Sequence, residues 1–214
     1  MQFKKIYTWN IVPDSAPFYI RRCKKCNKTT KHYCSEKFRL NAQKKLIDVW
    51  LIYKCCNCDS TFNIDILPRV NVNSIDKDLF SRFTENDIKT SWIYAFDRGV
   101  ISRNKINVDY SNINFKISGD EITFKQIIES EEDIVEINLN QEFDVDVKLT
   151  DIIKNHFLLS TDGLDKLLSS GAFSVYPPGP VKKRMLIGEN TVIINIKNLR
   201  KCINENLMQD DYII

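Results

Sequence analysis

The sequence predicts an α+β fold: an all-β N-terminal module, a mixed helix-and-strand middle, and a small α/β segment at the C-terminus. Three observations lead there. Two Cys-x2-Cys pairs, Cys23/Cys26 and Cys55/Cys58, are separated by 28 residues in the N-terminal quarter. The interval between them carries two extended, alternating segments. Beyond residue 147 the chain runs helix, helix, glycine, strand, proline-rich turn, strand.

Thiolates at i and i+3 on a tight turn grip one ion from one side, and two such turns brought together complete a tetrahedron. The order needed is turn, hairpin, turn. Phe18-Tyr19-Ile20 leads into the first cysteine turn, and two segments, about 32–40 and 46–54, flank the spacer Asn41-Ala42-Gln43-Lys44-Lys45. The second segment delivers the chain to Cys55-Cys56-Asn57-Cys58, and 61–67 leaves as a further strand. This is the layout of a zinc ribbon over residues 1–70, with Cys23, Cys26, Cys55 and Cys58 holding a structural Zn2+. A catalytic zinc keeps one position open to water, commonly with His or carboxylate in the set, whereas four complementary cysteines predict a closed site. The competing readings are a coincidence among seven cysteines, two disulfides, or a mixed set using His32. Cys56 is expected to point away from the metal, with Cys34 and Cys202 as packed thiols. So small a module buries little apolar area, so metal binding would supply much of its folding free energy.

The middle region, 71–146, begins with apolar residues at helical spacing: Leu79, Phe80, Phe83, Ile88, Trp92 and Phe96. Thr84-Glu85-Asn86-Asp87 interrupts that run, with Thr84 as the candidate N-cap of a second helix. Residues 106–117 and 121–128 are predicted strands around a Gly119-Asp120 turn, and the acidic stretch 129–146 reads equally as an exposed linker or edge or as a site. The final segment, 147–214, opens with a short helix from Lys148. A second helix follows, capped by Ser160 or Thr161 and stopped by Gly171. Then come a strand at 172–175, the turn Pro177-Pro178-Gly179-Pro180, the basic Lys182-Lys183-Arg184, and a closing strand at 191–196.

Composition bounds the class. With 214 residues, 43% hydrophobic and 28% charged, the chain suits one large domain or two small ones in a soluble globular protein. No apolar run approaches membrane-spanning length, and the first residues have no signal-peptide core, so a cytoplasmic protein with free or metal-bound thiols is expected. The formal net charge is +3, unevenly spread: residues 1–60 carry +9, residues 61–150 carry −7, and the remainder +1. A basic lobe of this kind suits an anionic partner, nucleic acid foremost, or serves as a solvated surface. On a strand, Lys37, Arg39 and Asn41 share one face and Phe38 and Leu40 the other. With Lys44 and Lys45 at the tip, the hairpin combines cations with polar groups able to reach phosphate, sugar or base. Trp50 and Tyr53 are expected in the core.

Two resemblances follow from these segments. The block Ser35-Glu36-Lys37-Phe38-Arg39-Leu40-Asn41-Ala42-Gln43-Lys44-Lys45-Leu46-Ile47-Asp48-Val49-Trp50-Leu51-Ile52-Tyr53-Lys54-Cys55 resembles the signature of a bacterial family, domain of unknown function 1062. That resemblance implies a bacterial cytoplasmic origin and cysteine pairs flanking the block, with no activity attached. Residues 147–196 resemble the S4 RNA-binding fold of a ribosomal protein, pseudouridine synthases and a tyrosyl-tRNA synthetase appendage. Lys148 matches the basic residue opening that family's first helix. Lys166, followed by Leu167, Leu168 and Gly171, matches the second. Asp162 and Asp165 stand among positions where that family carries several arginines.

No enzyme motif stands out. His32 and His156 fall in different modules without a nucleophile partner, and the glycines form no phosphate-cradling loop. The expected function is therefore a non-enzymatic, zinc-containing RNA-binding protein recognising structured RNA such as rRNA or tRNA. Lys37, Arg39, Lys44 and Lys45 would form one footprint, and Lys148, Lys166, Lys182, Lys183 and Arg184 a second. The alternatives are a protein-interaction adaptor with a purely structural ribbon, and an enzyme acting on RNA or a small anion.

Overall fold

The computed structural model describes residues 3–205 except 112, 146 and 187. It is a mixed α+β structure with two five-stranded sheets and seven α-helices among the described residues. The chain divides into two compact units: Pro13–Asn114, and a second formed by Met1–Val12 with Phe115–Ile214. The first is thus an insertion into the second, and the sequence segments 1–70, 71–146 and 147–214 cut across this division.

In the inserted unit the sheet order is β5-β4-β3-β2-β6, built from β2 (Phe18–Cys23), β3 (Lys28–Gln43), β4 (Leu46–Cys55), β5 (Thr61–Asn71) and β6 (Asn107–Asp109), all neighbours antiparallel. Strand β4 alternates cleanly, burying Ile47, Val49, Leu51, Tyr53 and Cys55, as one face of a strand packed on a core must. Strand β3 is long enough to need a bend. It takes one at a bulge between Cys34 and Lys37, where Glu36 adopts φ 57° and its carboxylate accepts the Trp92 indole N–H at 3.0 Å. Helices α1 (Lys77–Glu85), α2 (Ile88–Phe96) and α3 (Arg98–Arg103) close this core with Phe83, Ala95 and Val100, against Tyr19, Phe38, Leu51 and Ile64. Tyr19 and Tyr53 stack at 3.9 Å, and the Tyr19 hydroxyl donates to the Ala95 carbonyl at 2.8 Å.

The expected break within 84–87 is present, but its cap differs. Asn86 ends α1 in the left-handed conformation, and the Asp87 carboxylate accepts the Thr90 N–H at 2.7 Å to start α2. Thr84 instead bonds back to the Ser81 carbonyl within α1. Asn86 also accepts the Phe38 N–H at 2.7 Å, tying the helix corner to β3.

The other unit has sheet order β7-β1-β8-β10-β9. Here β1 (Lys4–Pro13) runs parallel to β8 (Ile134–Gln141), β10 (Asn190–Asn195) antiparallel to β8, and β9 (Phe173–Tyr176) antiparallel to β10, with β7 (Phe115–Gly119) at the edge. Two expectations fail here. The acidic stretch is not a linker but encloses the central strand, since Val135, Ile137 and Leu139 alternate inward beneath the charged flanks. Residues 121–128 do not form a strand: Thr123 and Gln126 make a reciprocal capping box that opens helix α4 (Phe124–Glu129). The turn at Gly119 is real. Its φ is 115°, and a Cβ there would lie 2.4 Å from the Thr8 carbonyl oxygen, so only glycine fits.

Helices α5 (Leu149–Phe157) and α6 (Thr161–Ser169) follow, the latter capped by the Ser160 hydroxyl accepting the Gly163 N–H at 2.9 Å. Gly171 takes φ 69° before β9, and α7 (Ile196–Glu205) continues from β10. His156 is a packing residue: its ring lies 4.0 Å from that of Trp9, and Nε2 is 3.0 Å from the Ile122 carbonyl oxygen. Among the described residues no helix is long and apolar enough to cross a membrane.

Candidate metal centre

Strand β2 ends at Cys23, and β3 begins two residues after Cys26. Strand β4 ends at Cys55, and Cys58 lies in the turn before β5. Antiparallel pairing of β2 with β3 and of β3 with β4 sets these two turns side by side at one end of the sheet. Each turn closes on a left-handed residue directly after its second cysteine, Asn27 at φ 53° and Asp59 at φ 55°. Asn and Asp are the non-glycine residues that enter this region at least cost. The Asn27 side chain accepts from Arg22 at 2.6 Å, and Asp59 accepts the Tyr33 hydroxyl at 2.9 Å.

The result brings the sulfurs of Cys23, Cys26, Cys55 and Cys58 within 4.8 Å of one another. Cys23 Sγ lies 3.6 Å from Cys58 Sγ, and Cys26 Sγ lies 3.9 Å from Cys55 Sγ. Both contacts join one turn to the other. A disulfide requires about 2.05 Å, so these are not bridges. A tetrahedron with thiolates about 2.3 Å from its centre has edges of about 3.8 Å, so the four sulfurs fit around one ion. Soft sulfur ligands in this geometry can hold a zinc-like or thiophilic ion.

Neighbouring groups already solvate the sulfur charge. The Ser60 hydroxyl lies 3.2 Å from both Cys23 and Cys58, and Thr30 Oγ1 lies 3.3 Å from Cys55. Backbone N–H groups of Cys26 and Asn57 point at Cys23 and Cys55, each at 3.4 Å. Without metal, the Ser60 hydroxyl and the Cys26 N–H hold Cys23 down to about 5. Hydrogen bonding to Cys58, with burial, pushes Cys26 up to about 12, while Thr30 lowers Cys55. Cys56 is exposed and turned away, and Cys34 is a thiol pushed up to about 12 by burial. His32 is outside the set: its Nδ1 sits 3.2 Å from the Thr30 carbonyl oxygen.

The basic residues expected to bind RNA divide between the two units. Lys37 and Arg39 project outward from β3 while Phe38 is buried, and Lys44, at φ 58°, and Lys45 form the exposed β3–β4 turn. Among the described residues none of these four cations meets a carboxylate. Trp50 is not in the core. It lies half-buried on the outer face, paired across the strands with Arg39, and its indole N–H donates to Asp65 at 2.6 Å. In the other unit, Lys148 is the exposed residue preceding α5 and Lys166 lies half-buried in α6. Lys182 is engaged by Asp165 at 2.6 Å, Arg184 donates to the Pro177 carbonyl oxygen, and Lys183 is exposed.

The sequence reading overlooked the basic pairs flanking Cys23. Arg21, Arg22, Lys24 and Lys25 border an open cleft of about 440 Å³ beside the cysteine turns. Their signal is the symmetry of the run Arg21-Arg22-Cys23-Lys24-Lys25 about a cysteine of the cluster. Ser60, two residues beyond Cys58, was equally legible as a second polar support for the sulfurs.

A family model described as a protein of unknown function (DUF1062) matches residues 40–177, more than half of the chain. The chain belongs to this family. Within it, the DUF1062 match starts near the end of β3 and takes in Cys55 and Cys58, while Cys23 and Cys26 precede it. No curated protein and no solved structure gives a match.

Proposed function

We propose that the chain is a zinc-containing, non-enzymatic RNA-binding protein of the bacterial cytoplasm, in which a structural zinc ribbon presents a basic hairpin to structured RNA such as rRNA or tRNA. The outer face of that hairpin carries the proposal: Lys37 and Arg39 point to solvent with Lys44 and Lys45 at the tip, all without acidic partners among the described residues, and Trp50 lies across from Arg39. The nearby carboxylate of Asp48 is occupied by Arg69, which approaches through its backbone N–H at 2.9 Å and its guanidinium at 3.5 Å. Unpaired cations around a half-buried aromatic on the same face suit phosphate contacts with adjacent stacking. Zinc is the ion proposed because four thiolates at tetrahedral spacing leave no position for water, which makes the site structural.

The S4-like segment is proposed as a weaker, second footprint. Its match to that fold rests on element order and on Lys148, Lys166 and Gly171. With Lys182 held by Asp165, fewer of its cations face solvent unpaired. The test is titration of metal-loaded protein with tRNA across salt concentrations. Reversing Lys44 and Lys45 to Glu should weaken binding at least tenfold and flatten the salt dependence, since each lost phosphate contact removes about one from the slope on a duplex. Equal affinity of the variant and the parent protein would remove the hairpin from the interface.

A further inference from the structure

The inserted unit holds a second cationic feature. The cleft beside the cysteine turns is bordered by Arg21, Arg22, Lys24, Lys25, His32 and Arg39, with no carboxylate in its lining. It adjoins a second cleft of about 430 Å³ that shares Arg21, Arg22, Phe62 and Asn63 and adds Arg103 and Lys105. Together they form one trough. Its single carboxylate, Asp65, already accepts the Trp50 indole N–H at 2.6 Å.

Three details make this more than a basic surface. Arg21 is half-buried, its guanidinium carbon sits 3.2 Å from the centre of the Phe62 ring, and among the described residues it meets no carboxylate, the Cys23 sulfur being its acidic neighbour. Burial disfavours this charge, the Phe62 face and the Cys23 sulfur offset part of that cost, and a bound anion would offset more of it. His32, only 2% exposed, contributes its ring to the lining of the first cleft. The cations also continue from one cleft into the next. A single phosphate would need only one cluster, whereas a line of cations with an aromatic at its midpoint matches a repeating phosphodiester chain.

We infer that this trough is the track for a single-stranded RNA segment, its phosphates lying along Arg21, Arg22, Lys24, Lys25 and Lys105. The inference rests on the RNA-binding reading above and adds to it a site and a strand state. The cysteine centre holds the β2–β3 turn that carries Lys24 and Lys25, so metal and trough are mechanically linked.

The experiment uses the full, metal-loaded chain and a fluorescent 12-nucleotide oligo(U). A Lys24→Glu/Lys25→Glu/Lys105→Glu variant alters exposed side chains that make no side-chain hydrogen bond or ion pair among the described residues, and its metal content and circular dichroism check folding. Oligo(U) affinity should fall at least tenfold, with a salt slope shallower by about 2 for three single-strand contacts. A 12-base-pair RNA duplex should bind at least tenfold more weakly than oligo(U). Unchanged oligo(U) affinity in the variant overturns the trough, and so does equal binding of the duplex. Stoichiometric binding of inorganic pyrophosphate without oligo(U) binding overturns it in favour of a small-anion site. If tRNA binding responds to the Lys44 and Lys45 reversals while oligo(U) is indifferent to the trough variant, the trough fails and the hairpin reading stands. If the trough variant loses oligo(U) binding and the hairpin variant keeps its tRNA affinity, the trough stands and the hairpin is not the contact.

Discussion

Asp14 and Asn114, 100 positions apart, clasp each other where the chain enters and leaves the unit that carries the cysteine cluster. The Asp14 carboxylate accepts the Asn114 backbone N–H and side-chain amide, each at 3.0 Å, and the Asp14 N–H donates to the Asn114 carbonyl oxygen at 3.0 Å. Both ends of the insertion are thereby fixed by two residues, independently of the cysteine centre at the sheet's end.

The Asn114 amide holds the Asp14 carboxyl below its usual range. Replacing Asn114 with Ala removes the side-chain amide bond to that carboxylate and leaves those from the Asn114 backbone N–H and the Ser15 hydroxyl. The Asp14 pKa should rise toward the ordinary value of about 4, followed by carboxyl NMR titration. The accompanying loss of stability should be about 1 kcal/mol or less, because the bond is exposed.

Removal of metal should unravel the cysteine end of the inserted unit before the other unit responds. Cys55→Ser or Cys58→Ser should abolish stoichiometric metal and lower the melting temperature, and a chelator should do the same to the parent protein. Cys56→Ser, at an exposed thiol outside the cluster, should retain about one metal ion per chain. Elemental analysis of the purified variants measures both outcomes, and metal loss in Cys56→Ser would refute the ligand set.

Ser60→Ala should weaken the metal without removing a ligand. Its hydroxyl reaches two sulfurs, Cys23 and Cys58, each at 3.2 Å, and outer-sphere partners of this kind typically contribute 10- to 100-fold in affinity. Competition with a chromophoric chelator should show a shift of about tenfold or more, whereas Ser60→Thr should restore most of it.

Acid should loosen the joint between β3 and β6. The Lys31 ammonium, 2.6 Å from Asp109, together with Ser111, holds the Asp109 carboxyl down to about 2. A folded value below the unfolded value of about 4 means the contribution is complete above that pH and is lost as pH falls toward 2. Lys31 is half exposed, so the effect is screened to about 1 kcal/mol. Denaturant melts of Lys31→Met should lose that pH-dependent increment between pH 5 and 2. An unaltered acid limb would discount the pair.

The cysteine site was legible because its information is local. Cys-x2-Cys spacing specifies a turn, the hairpin between the pairs specifies that the turns meet, and four equal ligands specify closure. Capping signals were legible too where they were sought: Ser160 and Gly171 bracket α6. They misled where a stronger competitor stood nearby, as Asp87 displaced Thr84, or where alternation was trusted over a capping box, as at Thr123 and Gln126. Strand β8 lies within an acidic stretch whose net charge masks the inward alternation of Val135, Ile137 and Leu139. Residue type alone points Trp50 to the core, whereas its position opposite Arg39 places it outside.

By itself, the sequence determined the four cysteines that cluster, the hairpin that joins them, the α+β class and the basic character of the first sixty residues. All of these depend on spacings of a few residues or on composition. Only the tertiary structure decided that β1 pairs with β8 across some 130 positions, that Pro13–Asn114 is an insertion, and that Arg21 and Lys105 border one trough. Such pairings are chosen by which apolar faces bury one another and which strand edges satisfy their hydrogen bonds. That competition is settled in three dimensions and leaves no periodic trace along the chain.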